Sequence, residues 1–161
     1  MRTLADPSIS IGLGRPESLN PGIEQPSPSR EQDLLPQLAL DHLVLTAADP
    51  EATIRFYAGL FNGRPERTGG RLAISFGRFK INVHQAGAER QPCAQLPTPG
   101  AADICFVSRT TLAERLHRLQ ALGIPLELGP VLRPGACGLI ESIYCRDPDG
   151  NLVEWGAPIS K

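Results

Sequence analysis

Nothing in this 161-residue chain approaches the ~20 consecutive apolar residues of a membrane-spanning helix, so no such span is expected. An excess of one charge is missing too. Sixteen Lys and Arg face 17 Asp and Glu, a formal net charge of -1, and the electropositive surface that nucleic acid requires is not expected. The cysteines Cys93, Cys105, Cys137 and Cys145 show no CxxC spacing. No positively charged segment followed by an apolar run opens the sequence as a secretory signal does, and Asp6, Glu17 and Glu24 argue against a transit peptide. A reducing cytoplasm is the expected compartment. With 41% hydrophobic and 20% charged residues, the remaining composition is that of one ordinary soluble domain.

Residues 1–36 carry six prolines (Pro7, Pro16, Pro21, Pro26, Pro28 and Pro36) among Ser and Gly without sustained periodicity, and are expected to be a disordered tail. The folded region, 37–161, opens with Leu38-Ala-Leu-Asp-His-Leu-Val-Leu, which reads as a mostly buried strand. Asp49-Pro50-Glu51 is a helix start: a side-chain acceptor, a preset φ and a negative charge at the positive dipole end. Ile54, Tyr57 and Phe61 give that helix one apolar face, and Asn62-Gly63 stop it. Strands follow at about 64–68, 71–76 and 79–84, turned by Gly69-Gly70 and Gly77-Arg78.

After a Pro-rich connector from Gln85 to Gly100, the same order begins again. A strand over 102–107 precedes a helix opened by Thr111 and Glu114, with Leu112, Leu116 and Leu119 on one face and His117 towards solvent. Strands at 125–128, 138–146 and 151–155 close the chain, the last two joined by Asp147-Pro-Asp-Gly150. The fold class is therefore α+β, two βαβββ modules over 38–84 and 102–156 whose repetition lies in element order rather than in letters.

His42, His84 and Glu154 each sit in or at the end of an apolar strand, where a polar side chain costs free energy unless it is paired or ligated. Two imidazoles and a carboxylate suit Zn, Ni, Mn, Co or ferrous iron better than Ca, which prefers all-oxygen shells. His84 equally suits a strand-end histidine bonded to backbone. Cys105 and Cys145 read as small buried hydrophobes, and Arg71, Arg78 and Lys80 as a solvated face able to meet an anionic substrate. Trp155 and Phe106 fit either a cavity lining or packing beneath the helices.

The duplicated plan, with Leu40-Asp-His-Leu-Val-Leu at its start and Cys145-Arg-Asp-Pro-Asp-Gly-Asn-Leu-Val-Glu154 at its end, resembles the vicinal oxygen chelate superfamily. That superfamily holds glyoxalase I, extradiol dioxygenases, and fosfomycin and bleomycin resistance proteins. Within it, Ile74-Ser-Phe-Gly, Lys80-Ile-Asn-Val-His-Gln-Ala-Gly and Pro97-Thr-Pro-Gly-Ala-Ala-Asp-Ile-Cys-Phe look closest to glyoxalase domain-containing protein 5.

The resemblance implies sheets curled around a shared cavity and metal ligands on the first and last strands of each module. Those positions fall on His42, His84, Asp103 and Glu154, with Glu154 also a catalytic base. Asp103 stands where family members often carry His, and it can equally cap a strand. A metal-dependent lyase or isomerase acting on a small oxygenated or thiol-adduct substrate is the leading expectation, as a homodimer. A non-catalytic binding protein that sequesters a small molecule is the alternative. Extradiol ring cleavage fits less well, because its His, His and Glu lie within one module.

Overall fold

In the computed structural model, which describes residues 38–159, the first element is β1 (His42–Ala47), followed by α1 (Pro50–Phe61). Next come β2 (Arg64–Thr68), β3 (Arg71–Phe76) and β4 (Phe79–Gln85). The second run is β5 (Asp103–Val107), α2 (Leu112–Ala121), β6 (Leu128–Gly135), β7 (Gly138–Arg146) and β8 (Leu152–Pro158). This is βαβββ twice. The tail expected over 1–36 lies outside the described residues. Among the described residues, no helix is long and apolar enough to cross a membrane.

Local chemistry sets the helix ends as the residues suggest. Asp49 accepts from the backbone N–H groups of Glu51 and Ala52, and Asn62 takes the left-handed conformation (φ 55°) that stops α1. Gly63 has a different role from the stop expected of it: a Cβ there would fall on the side chains of Ile74 and Phe76. On α2, Thr111 and Glu114 form the reciprocal capping box. His117 is exposed, as its helix face implies.

Sheet A runs β1-β4-β3-β2 and sheet B runs β5-β8-β7-β6. In each, the first strand of the module pairs parallel with the last, and the other pairings are antiparallel. Two boundaries differ from expectation. Leu40 is exposed and precedes β1, so the first strand starts at His42 rather than Leu38. The strand expected at 125–128 instead occupies Leu128–Gly135. Its Pro130 and Pro134 are tolerated because β6 is the edge of sheet B, where a missing N–H breaks no interior ladder.

Alternation assigns one face of each sheet to a common core. Leu45, Ala47, Ile74, Ile81 and Val83 from sheet A join Ile143, Cys145, Val153 and Trp155 from sheet B, with Ile54, Tyr57 and Leu60 of α1 and Leu119 of α2. Each large side chain fully buried there contributes about 1.5–3 kcal/mol. Phe61 stacks on Phe106 at 4.2 Å and meets the Trp155 edge at 5.0 Å, so both aromatics pack beneath the helices. Polar bonds join the modules. Tyr57 Oη donates to Asp147 (3.1 Å), Thr53 Oγ1 donates to Asp149 (3.1 Å), and Arg118 Nε donates to the Gly59 carbonyl (2.9 Å).

Arg115 is a further core group, fully buried and bonded to the Glu141 carboxylate (2.6 Å) and to the Trp155 carbonyl (2.7 Å). The other face of each sheet is turned away from this core. Those two faces hold the candidate site.

Candidate functional site

Strand register, rather than sequence spacing, decides which donors stand together. On sheet A, His42 pairs with Lys80, Val44 with Asn82 and Thr46 with His84, so all of these side chains share the face opposite Leu45, Ile81 and Val83. His42 and His84 are thus on one face. His84 is nevertheless level with Thr46, four residues beyond His42, and at ~3.3 Å per residue the two rows lie about 13 Å apart. The imidazoles stand over different parts of the face. A groove of about 750 Å³ runs across both rows, lined also by Glu66, Thr68, Arg71, Ala73, Asn82 and Arg90.

His42 Nδ1 lies 2.5 Å from Asp41 Oδ1. That bond holds the Asp41 carboxyl below its ordinary value, the His42 and Lys80 charges adding to it. It also fixes the ring orientation, leaving Nε2 as the nitrogen with a free lone pair. His84 is different: its Nδ1 is buried with no partner.

On sheet B, Asp103 pairs with Leu152 and Cys105 with Glu154, while Glu154 pairs with Tyr144 on its other side. Asp103 and Glu154 therefore share the face opposite Val153 and Trp155. Ser142 Oγ donates to Glu154 Oε1 at 2.5 Å, and Arg133 Nε donates to Tyr144 Oη at 3.2 Å.

Cys105, expected to be buried, is exposed on this face, because the alternation that sends Ile104 and Phe106 inward sends Cys105 outward. Partial burial pushes its thiol up to about 11, with the Glu154 charge and hydrogen bond adding to the shift. Cys145 is buried as expected, and burial, followed by the Asp147 charge, pushes its thiol up to about 12.

Of the four expected ligands, then, His42 and His84 are on sheet A, and Asp103 and Glu154 on sheet B. Among the described residues, no three His, Cys, Asp or Glu side chains gather closely enough to hold a metal ion. The donor chemistry suits a divalent metal, whereas the arrangement within one chain does not complete its shell. Sequence reasoning missed Ser142, Tyr144 and Arg133 around Glu154. Period-two alternation from Glu154 and its neighbours could have found the first two. Arg133 required the position of β6.

Comparison with known proteins places this architecture. The family model of the Glyoxalase/Bleomycin resistance protein/Dioxygenase superfamily matches residues 39–155. The chain belongs to this superfamily. Its relatives include the Glyoxalase domain-containing protein RDO1 of Mycosarcoma maydis, 46% identical over 129 residues, covering 80% of this chain and 73% of that protein.

Among solved structures, the virulence protein STM3117 of Salmonella typhimurium superposes with a TM-score of 0.74 at 43% identity, over 78% of this chain and all (100%) of that one. A lactoylglutathione lyase from Agrobacterium tumefaciens superposes with a TM-score of 0.58 at 27% identity, over 76% of this chain and 95% of that one. The superfamily spans glyoxalase-like enzymes and antibiotic-resistance proteins, so membership gives the fold and a class of small-molecule sites rather than one reaction.

Proposed function

We propose that this chain is a metal-dependent enzyme of glyoxalase type, a lyase or isomerase acting on a small oxygenated or thiol-adduct substrate. Its site is completed when two copies pair. The carrying observation is the Asp41–His42 contact: a carboxylate on one ring nitrogen is the usual partner of a metal-binding histidine, and the opposite nitrogen is left for the ion.

A homodimer follows from how the donors are divided. His42 stands on the outer face of sheet A, and Asp103 and Glu154 stand on the outer face of sheet B. Laying sheet B of one copy over sheet A of another unites them, and also covers Val44 (47% exposed) and Val107 (56% exposed) on those faces. His42, Asp103 and Glu154 would hold the metal. Zn, Ni, Mn, Co and ferrous iron all suit that set.

When bound, such an ion supplies a Lewis acid for two neighbouring substrate oxygens. Glu154, oriented by Ser142, is the group to take a proton from the carbon beside them. His84, four residues further along the strand pairing, lines the cavity instead. The narrower likeness to glyoxalase domain-containing protein 5, and residence in the cytoplasm, belong to the same reading. The latter is supported by four cysteines that are all free.

Elemental analysis of protein purified without chelators, followed by turnover of methylglyoxal hemithioacetal, tests the proposal. Stoichiometric metal that is lost in His42→Ala is the expected result. One observation favours a second reading, a non-catalytic binding protein: the sheet A groove is formed by a single chain without Asp103 or Glu154. Metal-free protein with undiminished ligand affinity would establish that reading in place of the first.

A further inference from the structure

We propose that the far end of the sheet A groove, at His84, Arg71 and Arg90, is a subsite for an oxyanion: a carboxylate or phosphate group carried by the small-molecule ligand. This deepens the reading of the groove as one wall of the ligand cavity, and it names the substrate class. Thr68 pairs with Arg71 and Leu72 with Val83, which sets Arg71 next to His84 on the outer face.

Arg90 reaches the same end from the connector, its Nη2 donating to the carbonyls of Gly69 (3.2 Å) and Gly70 (3.0 Å) in the β2–β3 turn. That anchoring holds a guanidinium in place before any ligand arrives. Arg71 forms no ion pair among the described residues.

The charge balance of the groove points the same way. Arg71, Lys80 and Arg90 line it against one carboxylate, Glu66, and that carboxylate already accepts from Arg64 (2.7 Å) and Ser75 (2.6 Å). Lys80 lies near the Asp41 carboxylate, whereas Arg71 and Arg90 form no ion pair among the described residues, so an anion entering this end of the groove meets two guanidinium groups without a facing carboxylate.

His84 supplies a third group at this end. Its Nδ1 is buried without a partner, so Nε2 is the ring nitrogen available to a ligand in the groove. An imidazole N–H at that position donates to an anion. The strand register that puts His84 about four residues beyond His42 separates the roles of the two histidines.

The protein as purified is titrated with inorganic phosphate and with acetate, following the His84 ring resonances and the heat of binding. Saturable binding that shifts the His84 ring, and that weakens about tenfold in Arg71→Ala and in His84→Gln, is expected for loss of one charge-assisted bond. Tighter phosphate than acetate assigns a phosphate-bearing ligand, and the reverse a carboxylate. His42→Ala keeps the anion affinity while losing the metal. Anion binding by a parent protein that takes up no stoichiometric metal refutes the metalloenzyme reading and leaves the subsite standing. Absence of saturable binding, or affinity unchanged in both variants, overturns the subsite whatever the metal content.

Discussion

Sheets A and B have the same strand order, first strand beside last, and each gives one face to the common core. Their outer faces have diverged. Sheet A presents imidazoles and guanidinium groups, and its only groove-lining carboxylate is already paired. Sheet B presents carboxylates, with Ser142, Tyr144 and Arg133 arranged around Glu154. A duplicated module thus keeps its core residues for folding and is free to vary the opposite face, because period-two alternation uncouples the two. Opposite charge on the two outer faces would favour the pairing of sheet A of one copy with sheet B of another that the proposed site needs.

The helices carry a parallel contrast. Thr53 and Arg115 stand four residues after the caps Asp49 and Thr111, and both are fully buried. Thr53 bonds Asp149 across the modules, whereas Arg115 bonds Glu141 and the Trp155 carbonyl within its own module. Removing them should separate the modules most. Arg115→Ala leaves a cavity and unpairs the Glu141 and Trp155 carbonyls, an expected loss of about 2–4 kcal/mol, while Thr53→Ala costs about 1 kcal/mol. Urea denaturation of the two variants measures the difference, and equal losses would remove the contrast.

At the outer faces, His42→Ala should lower metal affinity by about a hundredfold or more, and His84→Ala should leave it within about threefold. Equilibrium dialysis with Zn, Ni and Mn separates the two histidines. Asp41→Ala should produce a smaller loss, roughly 10–100-fold in metal affinity with stability unchanged, since in the proposed site the exposed Asp41 orients His42 rather than touching the ion. A structural role for Asp41 would instead lower the melting temperature.

A further contrast concerns pH. Cys145 has its thiol raised from 9.0 to about 12 in the folded chain, so the unfolded chain loses this proton first. The contribution is complete below pH 9 and declines as pH rises towards about 12. Stability measured from pH 8 to 11 should fall less steeply in Cys145→Ala than in the parent; identical slopes would count against the burial that raises this thiol.

The βαβββ repeat was legible because apolar period and caps coincide: Asp49-Pro50 and the Thr111–Glu114 box mark both helices, and glycine turns separate the strands of the first module. β6 was not, since Pro130 and Pro134 argue locally against a strand and only an edge position in the finished sheet admits them. Arg115 escaped notice because a charge within the Leu112, Leu116 and Leu119 face reads as surface until its partners are seen.

His42, His84 and Glu154 were legible as polar side chains on apolar strands, and Asp103 only through the family resemblance. Their grouping was not, because it depends on strand register and on which sheet carries each residue, and neither is written in sequence spacing.

The central claim, a site shared between copies, is tested most directly by mixing two inactive variants. His42→Ala damages only the sheet A half and Glu154→Ala only the sheet B half, so a dimer containing one of each has one intact site and one doubly damaged site. Unfolding and refolding the variants together should restore metal binding and turnover to roughly a quarter of the parent level, as random pairing of two subunit types dictates. A mixture that remains as metal-free and inactive as its components would contradict the account.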